Sequence, residues 1–475
     1  MIRAVGQPLH ATHPHLIKHA THLTPGISKS EYQSRRQQLA GLLGGATAII
    51  PGYGLRYSTN AGIFYEFHQN NDFLYFTGLL EADTAMCLDS TGRFTLFLKP
   101  EDKHSLVWDG PRTGLSGASE IFGADDALPI ADFPDFLKDI KGPIMSDLDL
   151  DRGLVEQTNL KFDRHAHAAS SPKEDASISS FLLKSLRRPR AATFGMERKP
   201  LAPLIHQLRC IKSSSELEVM KIASDITAES MKDMMRYAKP GMTEHEIQAF
   251  LEFSCKRRGA DRMAYTSVVA GASRALIIHY VANKCVVNDG DLVLVDAGAE
   301  YGGYVADITR TFPVNGRFST AQRNIYSAVL EANKLAISRC KAGGMSLDKI
   351  HNESVKYLYQ KCQEIFDRRI SLQEIQAMYP HHIAHYLGLG TYAALSNPLL
   401  DVHDTFSVSR GIPLENNMVV TIEPGLYIPN DPEKYGEYAG IGVRIEDDVI
   451  INGNDPIVMT KGVPKEIEEI EKLFQ

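Results

Sequence analysis

Four acidic residues in the second half of the chain stand where apolar strands begin or end. Asp296 closes the run Leu292-Val293-Leu294-Val295, and Asp307 follows a Gly302-Gly303 turn and opens Ile308-Thr309-Arg310. Glu423 ends Met418-Val419-Val420-Thr421-Ile422 ahead of Pro424-Gly425, and Glu446 sits inside Val443-Arg444-Ile445-Glu446-Asp447-Asp448. A carboxylate delivered into an interior is costly unless it is paired or binds a cation. The first two read as one hairpin that brings its carboxylates face to face. Between the two pairs lies His381-His382-Ile383-Ala384-His385, which can add an imidazole. Four carboxylates and one imidazole make a cage for two divalent ions, and oxygen-rich ligation with one histidine favours Mn²⁺, Co²⁺ or Zn²⁺. Two ions held about 3.5–4 Å apart activate water and stabilise a tetrahedral intermediate, so the chemistry is metal-assisted hydrolysis.

Taken singly, each of these residues has a blander reading. An aspartate at a strand end is more often a turn residue, Glu446 beside Arg444 can be half of an ion pair, and His381 and His385 can be satisfied core histidines. The HxxxH spacing resembles a zincin helix, but His382 stands where that motif has Glu, and Gly388 and Gly390 argue against a helix. The weight lies in all of them falling in order, in one domain, on strand edges.

The elements that must position these residues follow from pattern. At 475 residues, two domains are the default. The reading is an extended arm over 1–27, an α/β domain over 28–200 and a second domain over 201–475. In the first, Ser28 and Glu31 have capping-box spacing ahead of a helix to Leu43. Strands are expected at 46–50, 73–76, 84–87 and 93–98, and helices near 132–139 and 177–187. Arginine and proline punctuate 188–215, which suits a junction. In the second, helices are expected over 202–236 with a break near 211–214, then 244–258 behind a Thr243/Glu246 capping box, 320–341 and 346–366. Strands are expected at 264–270, 276–281, 291–296, 304–312, 418–423 and 443–451.

A net charge of −7 and a pI near 6.2 exclude the basic signature of a nucleic-acid binder. No apolar run approaches the roughly 20 residues of a membrane span. The six cysteines are scattered, which argues against a disulfide framework or a structural zinc site and fits a reducing compartment. His10, His13, His15, His19 and His22 lack companion acids and read as contacts within the arm. The opening is acid-poor up to Glu31, but Arg3 is the lone arginine before Arg35, so a presequence is expected to be absent or trimmed.

Several stretches carry a resemblance: IIHY (277–280), DGDLVLVDAG (289–298), GGYVADITRTFPVNGRF (302–318), HHIAHYLGL (381–389), DVHD (401–404), TIEPGLYIP (421–429) and GIGVRIEDDV (440–449). Together they resemble the pita-bread metallopeptidases, the family of aminopeptidase P, prolidase and methionine aminopeptidase. FHQNNDFLYFTG (67–78) and WDGPRTG (108–114) are similar to the aminopeptidase P N-terminal domain. GQPLHATHPHLI and TPGISKSEY resemble the mitochondrial intermediate-cleaving branch of that family. The resemblance implies an α/β (α+β) chain, with a creatinase-like N-terminal domain followed by a pita-bread catalytic domain.

The resemblance also implies roles. Asp296, Asp307, His385, Glu423 and Glu446 would hold two divalent ions, most commonly Mn²⁺, with Glu423 also the general base. His279 would stand on the substrate side, and His381 and His403 would meet the scissile carbonyl and the developing oxyanion. Arg444 and Tyr427 would support the ligands from behind. Residues 390–400 (GTYAALSNPLL) interrupt the usual run from HYLGL into DVHD, which bears on His403. The implied function is removal of one residue from peptide or protein N-termini by a homodimer. Within it, a bulky Tyr, Leu or Phe taken from imported proteins in the mitochondrial matrix competes with Xaa-Pro cleavage. A cytoplasmic location, a prolidase- or creatinase-like hydrolase and a catalytically dead binding module are the alternatives.

Overall fold

The computed structural model describes residues 6–58, 63–147, 198–390 and 408–475. These fall into two compact units, one up to Leu208 and one from Arg209. In the first, six strands order as Asp126–Pro129, Phe94–Leu98, Ala85–Asp89, Thr47–Pro51, Ile144–Met145 and Arg198–Lys199. The central pairs are antiparallel and the outer pairs parallel. Ile49, Cys87, Phe97, Ile130 and Phe133 build one core against it. The arm is anchored rather than free: Gln7 is buried, donates to Gly78 O at 2.9 Å and accepts from Leu80 N at 2.7 Å.

One expected strand is a helix. FLYF lies in the helix Asn71–Thr77, because Asn70 caps its first amide groups and Gly78 ends it with φ 68°. Phe73, Leu74, Tyr75, Phe76 and Thr77 are all buried. A helix apolar on every side leaves no 3.6-residue signal and reads as a strand.

In the second unit, Val268–Gly271, Leu292–Ala297 and Ile308–Pro313 form an antiparallel sheet with Asp296 opposite Thr309. Val419–Ile422 pairs with Asp447–Ile450, and Gly425–Tyr427 with Gly442–Arg444. Helices Ser214–Tyr237, Glu244–Arg257, Thr320–Arg339 and Leu347–Ile365 supply the apolar packing. Met231, Met234, Ile325, Val329, Ile422 and Val443 belong to one continuous core. The Thr243/Glu246 capping box forms as expected. The expected strand at 276–281 is instead the end of a short 3₁₀ turn, Ala272–Leu276, and the bend after it. Within it, the Tyr280 hydroxyl donates to the Glu244 carboxylate at 2.8 Å. The described helices include none long and apolar enough to cross a membrane.

Arg310, wholly buried, stitches the two halves of this unit. It donates to Asp447 Oδ1 at 2.8 Å, to Glu446 O at 2.6 Å and to Val463 O at 3.1 Å. Burial works to raise the Asp447 carboxyl, but the Arg310 and Lys465 charges outweigh it and hold the group well below the usual carboxylate range.

Candidate metal centre

Three backbone alignments gather the acids. The Asp296/Asp307 hairpin closes tightly at Gly298, where a Cβ would stand 1.7 Å from the Ala306 carbonyl oxygen. The His381–Tyr386 segment lies along Val419–Ile422: Thr421 N donates to His385 O at 2.9 Å and Glu423 N to Ile383 O at 2.8 Å. Glu446 falls in the break between the strands Gly442–Arg444 and Asp447–Ile450, where its N–H donates to Thr309 O at 3.1 Å. The break spans Ile445 and Glu446, both buried, and strand pairing resumes at Asp447.

The result is a buried cluster. One ligand atom from each of Asp307, His385 and Glu446 lies within 4.8 Å of the others. His385 Nε2 is 3.5 Å from Asp307 Oδ2 and 3.7 Å from Glu423 Oε1. Asp296 joins through Tyr265, whose hydroxyl lies 2.6 Å from Asp296 Oδ1 and also bonds Asp307 Oδ1. Tyr265 is missing from the sequence reading; a lone tyrosine in a bend before a strand carries no signal of its own.

Arg444 backs the cluster. Its guanidinium donates to Asp296 Oδ2 at 2.6 Å, to Thr309 Oγ1 at 3.1 Å and to the Tyr427 hydroxyl at 2.8 Å. Thr309 in turn donates to Glu446 Oε2 at 2.6 Å. It lies two residues after Asp307, a spacing that strand alternation places on one face. Among the described residues Tyr427 bonds no carboxylate; its hydroxyl lies 2.9 Å from His381 Nε2. His381 Nδ1 is 2.9 Å from His382 O and 3.8 Å from Glu423 Oε2. With Nδ1–H donating to that carbonyl, Nε2 accepts from Tyr427, whose oxygen accepts from Arg444. His279 is exposed in the turn after the 3₁₀ segment. His403 and residues 391–400 lie outside the described residues.

The electrostatics demand a cation. Burial pushes the Glu423 carboxyl up to about 8, with Asp307 and Asp296 adding to the rise and His385 and Arg444 opposing it. Burial, then the neighbouring Asp307, Glu423 and Asp296, raises Glu446 far above its ordinary value. Asp307 is raised chiefly by burial. Burial works against charging His385, but its contact with Asp307 and the Glu423 charge outweigh that and lift it to about 9. Like charges desolvated together keep protons unless a metal replaces them. The donor set, carboxylate oxygens with one imidazole, fits a borderline or hard divalent ion and not a thiolate-seeking one.

Comparison with known proteins agrees with this arrangement. Residues 218–453 match metallopeptidase family M24, and residues 32–144 match the aminopeptidase P N-terminal domain. Xaa-Pro aminopeptidase 3 of Rattus norvegicus is 35% identical over 492 residues, covering 99% of this chain and 90% of that protein. The chain belongs to metallopeptidase family M24. Intermediate cleaving peptidase 55 of Saccharomyces cerevisiae is 36% identical over 482 residues, covering 99% of this chain and 88% of that one. The crystal structure of Icp55 from the same yeast superposes with a TM-score of 0.79 at 34% identity, over 96% of this chain and 99% of that one. The expected fold, an aminopeptidase P N-terminal domain followed by a pita-bread domain, is therefore the observed one. As an M24 member the chain is a metalloaminopeptidase of the aminopeptidase P type, a hydrolase that uses divalent metal.

Proposed function

We propose that Asp296, Asp307, His385, Glu423 and Glu446 hold two divalent ions, Mn²⁺ in use, and that the enzyme removes one bulky hydrophobic N-terminal residue from imported mitochondrial proteins. The observation that carries the metal assignment is the crowding of buried, proton-retaining carboxylates around His385. When bound, the ions would lower the pKa of a water and polarise the scissile carbonyl.

The chain's own residues do the rest. Glu423 takes the proton of the attacking water and returns it to the leaving amine. Arg444 fixes the orientation of Asp296 and, through Thr309, of Glu446. Tyr427 holds the His381 ring, which is assigned the carbonyl of the substrate, and His279 is assigned the substrate side. His403 would complete the set at the developing oxyanion.

The substrate reading rests on the intermediate-cleaving peptidase, which this chain matches from arm to C-terminus. It carries with it the mitochondrial matrix as the place of action and a homodimer as the working form. A second reading, cleavage of Xaa-Pro ends, is favoured by the rat relative, similar over as much of the chain. Metal-stripped and Mn²⁺-reloaded protein is incubated with two peptides of equal length, one beginning Tyr-Ser and the other with proline second, and loss of the first residue is followed by mass. Metal-dependent cleavage of the Tyr-Ser peptide supports the proposal. Preference for the proline peptide replaces it with the second reading, and cleavage of neither refutes both.

A further inference from the structure

The helix Glu244–Arg257 begins with a residue its capping does not need. Thr243 and Glu246 already satisfy each other's backbone groups in a full capping box. Glu244 is nevertheless wholly buried, while His245 and Glu246 beside it are exposed. A buried carboxylate at an exposed helix end must be paired for a reason.

All its partners lie in one segment, 271–285. Glu244 Oε1 accepts from Gly271 N at 2.9 Å and from Arg274 Nε at 2.6 Å. Oε2 accepts from the Tyr280 hydroxyl at 2.8 Å and from Cys285 N at 2.9 Å. The Glu244 N–H donates to Cys285 O at 2.8 Å. One carboxylate thus grips both ends of a segment whose only regular element is the 3₁₀ turn Ala272–Leu276. Two non-glycine residues with positive φ flank the gripped stretch, Ala272 at 54° and Asn283 at 47°. Such backbone is strained and persists where the surroundings over-determine it.

His279 lies between the two grips. Its neighbours Ile278 and Tyr280, with Leu276, pack against the cluster of Val268, Ala270, Ala275, Leu294 and Tyr427. Ala275 also presses on Gly442, where a Cβ would stand 2.9 Å from its own. The segment is therefore seated on Tyr427 and on the strand that carries Arg444, with exposed His279 alternating against inward neighbours.

We propose that Glu244 is a positioning residue that clamps segment 271–285 and so fixes the placement of His279, whose chain neighbours pack against Tyr427. The inference rests on the substrate-side role assigned above to His279. It differs from a purely structural tether in one respect: its effect on catalysis passes through His279.

The test is a double-mutant cycle on the full-length, Mn²⁺-loaded enzyme, using Glu244→Gln, His279→Ala and the pair, with kcat and KM on the better cleaved peptide. Bound metal and thermal midpoint are followed in parallel. Misplacing a substrate-contacting group by about 1 Å costs on the order of 10²-fold. Glu244→Gln is expected to lose that order in kcat/KM with metal content unchanged, and to lose less than about 2-fold when His279 is already alanine. Should Glu244→Gln fail to fold, Tyr280→Phe, which removes one grip and leaves Arg274 on Glu244, replaces it with the same pattern expected. An equal loss in both backgrounds, or none in either, overturns the clamp. If His279→Ala alone leaves kcat/KM unchanged, the role of His279 fails first and the clamp with it.

Discussion

Loading metal into the stripped enzyme should expel protons, and the number can be worked from the site. Without metal, Asp307 faces His385 and Asp296 faces Arg444, so two negative charges meet two positive ones. That leaves Glu423, raised to about 8 and so mostly neutral at pH 7, and Glu446, which burial and its acidic neighbours raise well above its ordinary value. At that pH a group of pKa 8 is roughly nine-tenths protonated, and His385, at about 9, is almost wholly so. Metal binding needs these side chains deprotonated, so about two to three protons should leave per filled centre. The number should fall as pH rises through about 8 to 9, where Glu423 and His385 titrate. Apparent metal affinity should accordingly rise with pH over the same window. Calorimetric titration of Mn²⁺ at each pH, in buffers of different ionisation enthalpy, gives the count from the slope of heat against that enthalpy. Glu446→Gln should lower it by about one. A count below about one at pH 7, or one that does not change with pH, would refute the argument that burial keeps these carboxylates protonated.

Two further outcomes follow from packing and titration. Gly298→Ala places a Cβ against the Ala306 carbonyl, backbone against backbone, so the hairpin must open; a loss of about 3 kcal/mol or more and a matching drop in metal affinity are expected by urea unfolding and metal titration. Burial, followed by the adjacent His382, depresses His351 to about 4, so the native state keeps it neutral while the unfolded chain takes up a proton below about 6.5. Stability from this group is whole above pH 6.5 and is lost as pH falls toward 4, by up to about 2 kcal/mol at pH 5. His351→Asn should flatten the difference between urea midpoints at pH 7.5 and 5, and an unchanged difference would exclude His351 as its source.

Two helix starts were legible because their signals are local: Ser28 accepts from Glu31 N, and Thr243 and Glu246 satisfy each other's backbone groups. Buried elements were less so. FLYF hid a helix behind uniform apolarity, and 276–281 looked like a strand because Ile277, Ile278, Tyr280 and Val281 are β-formers. In the second case the Glu244 carboxylate ties the ends of the surrounding segment through Gly271 N and Cys285 N and meets the Tyr280 hydroxyl.

The sequence by itself determined the donor types and their order along the chain. An acid at the edge of an apolar strand is singly more often a turn residue, but four of them in order, with a histidine-rich segment between, point to a shared cation. It could not determine how they converge. Tyr265 spanning Asp296 and Asp307, Arg444 reaching Asp296, Thr309 and Tyr427 at once, and Tyr427 turning to His381 rather than to a carboxylate are all decided by tertiary structure. The physical reason is range. Strand ends and caps are set by neighbours a few residues away, whereas the second layer of a metal site joins partners up to 148 residues apart, which meet once the core has closed.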